Sequence, residues 1–159
     1  IVETIAIFVD IHYIYGHKPI ILTTMAYKII DVEGIGPAYA EKLIAAGIST
    51  AEELLEKCAA PKGRKELAEA TGIPEKLVLK WTNHADMYRI RGIGPQFAEL
   101  LEASGVDTVK ELSHRVAANL AAKVAEVNAE KKLVGRVPVE SEIQKMIDEA
   151  KTLPGVITY

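Results

Sequence analysis

The chain contains one short phrase twice. Residues 31–59 laid over 89–117, a constant offset of 58, bring Gly34-Ile35-Gly36-Pro37 onto Gly92-Ile93-Gly94-Pro95. The correspondence continues through Ala40/Ala98, Glu41/Glu99, Leu43/Leu101, Ala45/Ala103, Gly47/Gly105, Thr50/Thr108, Glu53/Glu111, Leu54/Leu112 and Ala59/Ala117, which makes 13 identities in 29 positions without a gap. A duplicated unit is the reading, with two similar modules expected about a pseudo-twofold axis. Within each copy the two glycines permit a tight turn, and the proline that follows suits the first position of a helix, where its missing N–H costs nothing. Ala40, Leu43 and Ile44 recur at helical spacing, and Gly47 closes that helix in a left-handed conformation. Thr50 and Glu53, repeated as Thr108 and Glu111, read as capping boxes that open the next helix.

Outside the repeat the pattern stays helical. Arg64 to Ala70 suits a helix ended by Gly72, and Pro74 starts another through Leu77, Val78, Trp81 and Ala85. Asn119 to Val134 and Ser141 to Ala150 read as two more, with Ser141 a weak cap and Gly135-Arg136-Val137-Pro138 between them. The expected fold is all-α, in modules 25–87 and 88–159. Residues 1–24 stand apart: Ile1 to Tyr15 and Ile20 to Thr24 read as strands around Gly16-His17-Lys18-Pro19, a short β-hairpin. Met25 looks like a natural start, so this segment reads equally as an upstream extension or as part of the functional fold. The strand-like tail Val156 to Tyr159 is a candidate to pair with it.

Charge narrows the function classes. A formal net charge of -3 and a pI near 5.9 argue against attraction of the whole surface to nucleic acid or anionic lipid, so any nucleic-acid site must be local. No membrane span is expected, since Glu3, Asp10, His12 and His17 interrupt the apolar N-terminal stretch, and no signal peptide, since that stretch lacks a basic n-region and a small-residue cleavage site. The single cysteine, Cys58, excludes an internal disulfide and reads as a buried thiol in a reduced, cytoplasmic setting.

The Gly-Ile-Gly-Pro phrases, with Ala40 and Leu43 and their copies, resemble the helix-hairpin-helix motif of DNA repair and recombination proteins. The Gly47-Ile48, Thr50 and Glu53-Leu54 element resembles the helical lobe that precedes such motifs in recombinases and in the C-terminal domain of the polymerase alpha subunit. Over Tyr27 to Tyr159 the chain resembles a bacterial domain-of-unknown-function family with tandem helix-hairpin-helix modules. Lys80-Trp81-Thr82-Asn83-His84-Ala85-Asp86 and Glu126 to Val134 carry that likeness most strongly. In DNA-binding members of the wider superfamily, hairpin glycines let backbone N–H groups meet a phosphate at a helix N-terminus, without regard to base sequence. The resemblance implies donors from Gly34, Gly36 and Ala38 in the first copy and from Gly92, Gly94 and Gln96 in the second. This chain departs from the pattern in having Ala38 and Gln96 where Lys or Arg is common, followed by Glu41 and Glu99. Asp31 and Glu33 flank the first copy, whereas Arg89 and Arg91 flank the second, which favours the second as the phosphate contact.

Other chemistry-bearing residues have ordinary readings. Lys57, Lys62, Arg64 and Lys65 form a basic edge or, more simply, a solvated helix face diluted by Glu52, Glu56, Glu66 and Glu69; Lys131, Lys132 and Arg136 are discounted alike. Trp81 reads as core packing between the halves rather than a base-stacking platform. His84 and Asp86 lack a third ligand and read as capping or surface groups; His114 stands alone, and Asp10, His12 and His17 give only a weak metal signal. No P-loop, nucleophile elbow, zinc-ligand cysteine pair or dinucleotide fingerprint is present. The expectation is a non-catalytic adaptor without cofactor or metal that binds nucleic-acid backbone weakly through hairpin amides. The alternative is a protein-interaction or scaffolding module whose partner is another protein.

Overall fold

Thr50 and Thr108 show how the sequence writes its helices. The Thr50 hydroxyl accepts from the Glu53 amide at 3.2 Å, and the Glu53 carboxylate returns to the Thr50 amide at 3.2 Å, a complete capping box. In the second copy only half of it forms. Thr108 accepts from the Glu111 amide at 3.1 Å, but the Glu111 carboxylate is drawn off to Arg115 at 2.6 Å. Arg115, which stands where the first copy has Lys57, therefore breaks the symmetry that the sequence suggests.

The computed structural model describes residues 27–159, and these are all-helical. A short 3-10 turn, Ile29–Asp31, leads into α1 (Pro37–Ala45), α2 (Ala51–Cys58), α3 (Pro61–Thr71) and α4 (Glu75–Met87). The second half follows as α5 (Pro95–Ala103), α6 (Val109–Ser113), α7 (Ala117–Lys131) and α8 (Glu140–Thr152). The expected N-terminal β-hairpin and the ligand-type residues Asp10, His12 and His17 lie outside the described residues. No helix among those described is long and apolar enough to cross a membrane.

α4 is the central element. It packs against α2, α3 and α5, and from Trp81 to Met87 every residue of it is buried. The Trp81 ring is buried as core and meets Tyr39 of α1 edge-on at 5.1 Å, a contact inside the first half rather than between the halves. In the second half α8 lies across both α6 and α7. Ile44, which shares the helical spacing of the buried Ala40 and Leu43, is itself 54% exposed.

Several boundaries move for local reasons. α7 begins at Ala117 and α8 at Glu140, each earlier than expected, and Pro74 sits just before α4 rather than in it. Ser141 is not the cap of α8. Val139 holds that position, and its amide donates to the Glu142 carboxylate at 2.9 Å. Arg64 is neither a basic edge nor solvated. It is 4% exposed and donates to the carbonyls of Cys58 and Ala59 at 3.0 and 2.9 Å, capping the negative end of α2, and to Thr158 at 2.7 Å. The Thr158 amide in turn donates to Ala59 at 2.9 Å, so the extended tail is tied to the end of α2. Cys58 is buried beneath this knot, and burial pushes its thiol up to about 11, which keeps it protonated at neutral pH.

α3 can approach α2 this closely because of Gly63, where a Cβ would stand 1.8 Å from the Lys57 carbonyl oxygen. No rotamer relieves a collision with backbone. Gly63→Ala is expected to cost about 3 kcal/mol, at the upper end of overpacking penalties, despite the gain in helix propensity. Urea unfolding monitored by circular dichroism checks this; unchanged stability would show that the two helices can separate freely.

Candidate nucleic-acid interface

The two glycine turns have the same backbone. Gly34 and Gly92 both sit at φ +87°, a region that side-chain-bearing residues rarely enter. Space is also short there: a Cβ on Gly34 would lie 3.3 Å from the Trp81 indole nitrogen, and one on Gly92 would lie 3.1 Å from the Met146 methyl. Each bend buries the isoleucine that follows, and the Ile35 and Ile93 amides donate back to Val32 and Ile90.

The second glycine of each phrase does different work from that expected of it. Gly36 and Gly94 have extended conformations, with φ of -81° and -105°, that any residue can adopt. A Cβ on Gly36 would meet nothing within 4 Å. Both occupy the N-cap position, where Thr50 and Thr108 supply a hydroxyl to α2 and α6 but a glycine supplies nothing. Proline follows at the first helical position in each case. Among the described residues, no oxygen accepts from the amides of Gly36 and Ala38, or from those of Gly94, Gln96 and Phe97. Two helix mouths are thus left bare, each carrying the positive end of its helix dipole.

Their surroundings differ. The first mouth is flanked by exposed Asp31, Glu33 and Glu41. The second opens on a cleft of about 310 Å³ formed by Gly94, Pro95, Gln96 and Phe97 with Val134, Gly135 and Arg136. Arg136, discounted in the sequence, is carried there by the break between α7 and α8; its guanidinium donates to Glu142 at 2.9 Å and remains 69% exposed. The Tyr27 hydroxyl also borders the turn, 3.2 Å from where a Gly94 Cβ would be. Neither was visible as a site residue in the sequence, because Tyr27 and Arg136 lie 67 and 42 positions from Gly94.

The flanking arginines separate. Arg91 is 81% exposed, with its Nε 3.6 Å from Glu149. Arg89 is not free to meet a ligand: its side chain is 10% exposed, pairs with Asp86 at 2.6 Å and donates to the Pro154 carbonyl at 2.7 Å.

His84 and Asp86, expected as capping or surface groups, are each 1% exposed. The surface reading is overturned for both. Asp86 does cap, but across the fold: its carboxylate accepts from the Val109 amide at 2.8 Å, at the first position of α6. His84 Nε2 bonds to the Glu102 carboxylate, which Lys80 approaches at 3.6 Å. Burial pushes the Asp86 carboxyl up, and the Val109 amide and Arg89 offset this only in part. Burial acts the same way on Glu102, yet the hydrogen bond and charge of His84, with Lys80, hold it below its ordinary value. These groups join α4 to α5 and α6.

The fold and site define an all-helical protein whose repeated turn leaves two helix mouths uncapped. The chain belongs to the family described as a domain of unknown function (DUF4332), whose model matches residues 33–153 and takes in both turns. No curated protein and no solved structure matches the chain.

The two carboxyls carry opposite pH signs. A lowered folded-state value means that Glu102 lends stability above its unfolded value and loses it as pH falls through the folded one; a raised value means that Asp86 loses stability as pH rises through its own interval. Glu102→Gln is therefore expected to be less stable than wild type at neutral pH and to show a shallower loss on acidification. Chemical denaturation across the acid range checks it; parallel pH profiles would contradict the pairing.

Proposed function

We propose that the protein is a non-catalytic adaptor that holds nucleic-acid backbone, without base preference, at its second glycine turn. The observation that carries this reading is the set of unaccepted amides at Gly94, Gln96 and Phe97, opening on a cleft shared with Arg136. A phosphate oxygen placed there gains charge-assisted hydrogen bonds from fixed donors and the field of α5, with a guanidinium opposite. Read with its duplicated Gly-Ile-Gly-Pro phrase, the unit is a tandem helix-hairpin-helix. The first copy supplies the same amides, from Gly36 and Ala38, without a nearby arginine and beside Asp31 and Glu33, so it is the weaker contact. With Arg89 committed internally, the cationic contribution comes from Arg91 and Arg136.

Few phosphates are neutralised by such a site, so the expected log-log salt slope is about -2 to -3 on duplex DNA. Gln96→Glu with Arg136→Gln tests the assignment without threatening the fold, because a carboxylate in the first turn favours the helix while it repels phosphate. Fluorescence anisotropy with a short labelled duplex at low salt is expected to show binding by wild type and its loss in the double variant, with melting temperature preserved. Equal affinity of the two proteins would defeat the reading. No binding by wild type, together with a stable oligomer or captured partner, would favour the protein-interaction alternative.

A further inference from the structure

The cations of the second turn do not stand alone. One face of α8 carries Glu142, Met146 and Glu149, spaced four and three residues apart, and each of them meets that turn or its cleft. Met146 sets its methyl beneath Gly92, 3.1 Å from where a Cβ would be. Glu149 stands against Arg91 and Glu142 against Arg136, the two arginines left to the site once Arg89 is committed internally.

The two carboxylates hold their arginines in different ways. Glu149 is 25% exposed; one of its oxygens lies 3.6 Å from the Arg91 Nε and accepts from the Arg91 amide at 3.4 Å, so side chain and backbone of that residue are taken together. Glu142 meets one nitrogen of Arg136 with both oxygens, at 2.9 and 3.0 Å, and also accepts from the Val139 amide at 2.9 Å, which pins it in place.

Between Arg91 and this face of α8 runs a groove of about 780 Å³, bordered by Glu142, Met146 and Glu149. Glu142 thus faces both the groove and the arginine of the Gly94 cleft. In the first copy Glu33 stands at the position of Arg91, so the pairing of an arginine with an α8 carboxylate belongs to the second turn. A phosphate oxygen drawn to either guanidinium must share it with a carboxylate of its own sign, well inside the Debye length. The repulsion offsets part of what the amides and arginines contribute.

We propose that α8 is an autoinhibitory guard on the Gly94 site, its Glu142 and Glu149 carboxylates occupying Arg136 and Arg91 and lowering the affinity for nucleic-acid backbone that the turn would otherwise have. This inference rests on the phosphate-binding reading of that turn and adds its regulation. The same helix that braces the bend through Met146 holds its charges in check.

Duplex affinity of the full chain is measured by fluorescence anisotropy at low and moderate salt. Glu142→Gln/Glu149→Gln keeps an acceptor for the Val139 and Arg91 amides, and with it the fold, while removing both charges. It is expected to bind about fivefold more tightly than wild type, with a log-log salt slope steeper by about one to two as the freed arginines neutralise further phosphates. Glu66→Gln/Glu69→Gln on α3 changes the net charge equally and releases Lys62 from Glu66, yet is expected to leave affinity within about twofold. Adding Arg91→Gln/Arg136→Gln to the α8 variant is expected to erase its gain. Equal affinity of the α8 variant and wild type, an equal gain from the α3 variant, or a gain that survives loss of the arginines would overturn the proposal. Duplex binding by wild type with no such gain removes the guard and leaves the Gly94 site standing, whereas no binding by either protein removes both.

Discussion

A left-handed bend at Gly34, made again at Gly92, sets the course of the chain on both sides of it. It turns Ile35 and Ile93 into the core and delivers the next two residues to the mouth of a helix whose axis is then fixed by burial of Ala40 and Leu43, or Ala98 and Leu101. Because the bend is tight against Trp81 in one copy and Met146 in the other, the turn is braced from beneath. Amides presented from such a base are held in place before any ligand arrives, and preorganised donors bind without an ordering cost.

Polar groups join the two copies. Asp86 at the end of α4 caps α6, Arg89 holds Asp86 and the Pro154 carbonyl, and His84 meets Glu102 of α5. Breaking one member of this set leaves a buried charge without its partner, which is costly, so the junction resists relative movement of the halves. The extended tail adds a second brace through Thr158, Ala59 and Arg64. Cleft geometry at the second turn depends on this rigidity, since Arg136 arrives from a distant connection.

The repeat made the fold readable. Glycine at a positive φ, proline at the first helical position and threonine three residues before glutamate are local rules, and the sequence alone displays all of them at Gly34, Pro37 and Thr50. What escaped were consequences of tertiary packing. Arg64 and Arg89 look like surface cations in the sequence, yet each answers backbone carbonyls or a carboxylate that only the fold brings near. The half-formed cap at Thr108 failed because Arg115, four residues beyond Glu111, competes for the same carboxylate. Around the candidate site, the open amides of the turns follow from the motif, whereas Arg136 and Tyr27 carry no local signal that could place them beside Gly94. Gly36 and Gly94 are not required by backbone conformation, unlike the tight-turn glycines the motif suggests; their effect is to leave the cap empty.

That empty cap is the centre of the account. It is tested most directly by the amide resonances of Gly94, Gln96 and Phe97 in an NMR titration with a short DNA duplex at low salt. The account predicts saturable shifts at these three, larger than those at Gly36 and Ala38, and reversed by added salt. Unmoved resonances at the second turn, with the duplex bound elsewhere or not at all, would contradict it.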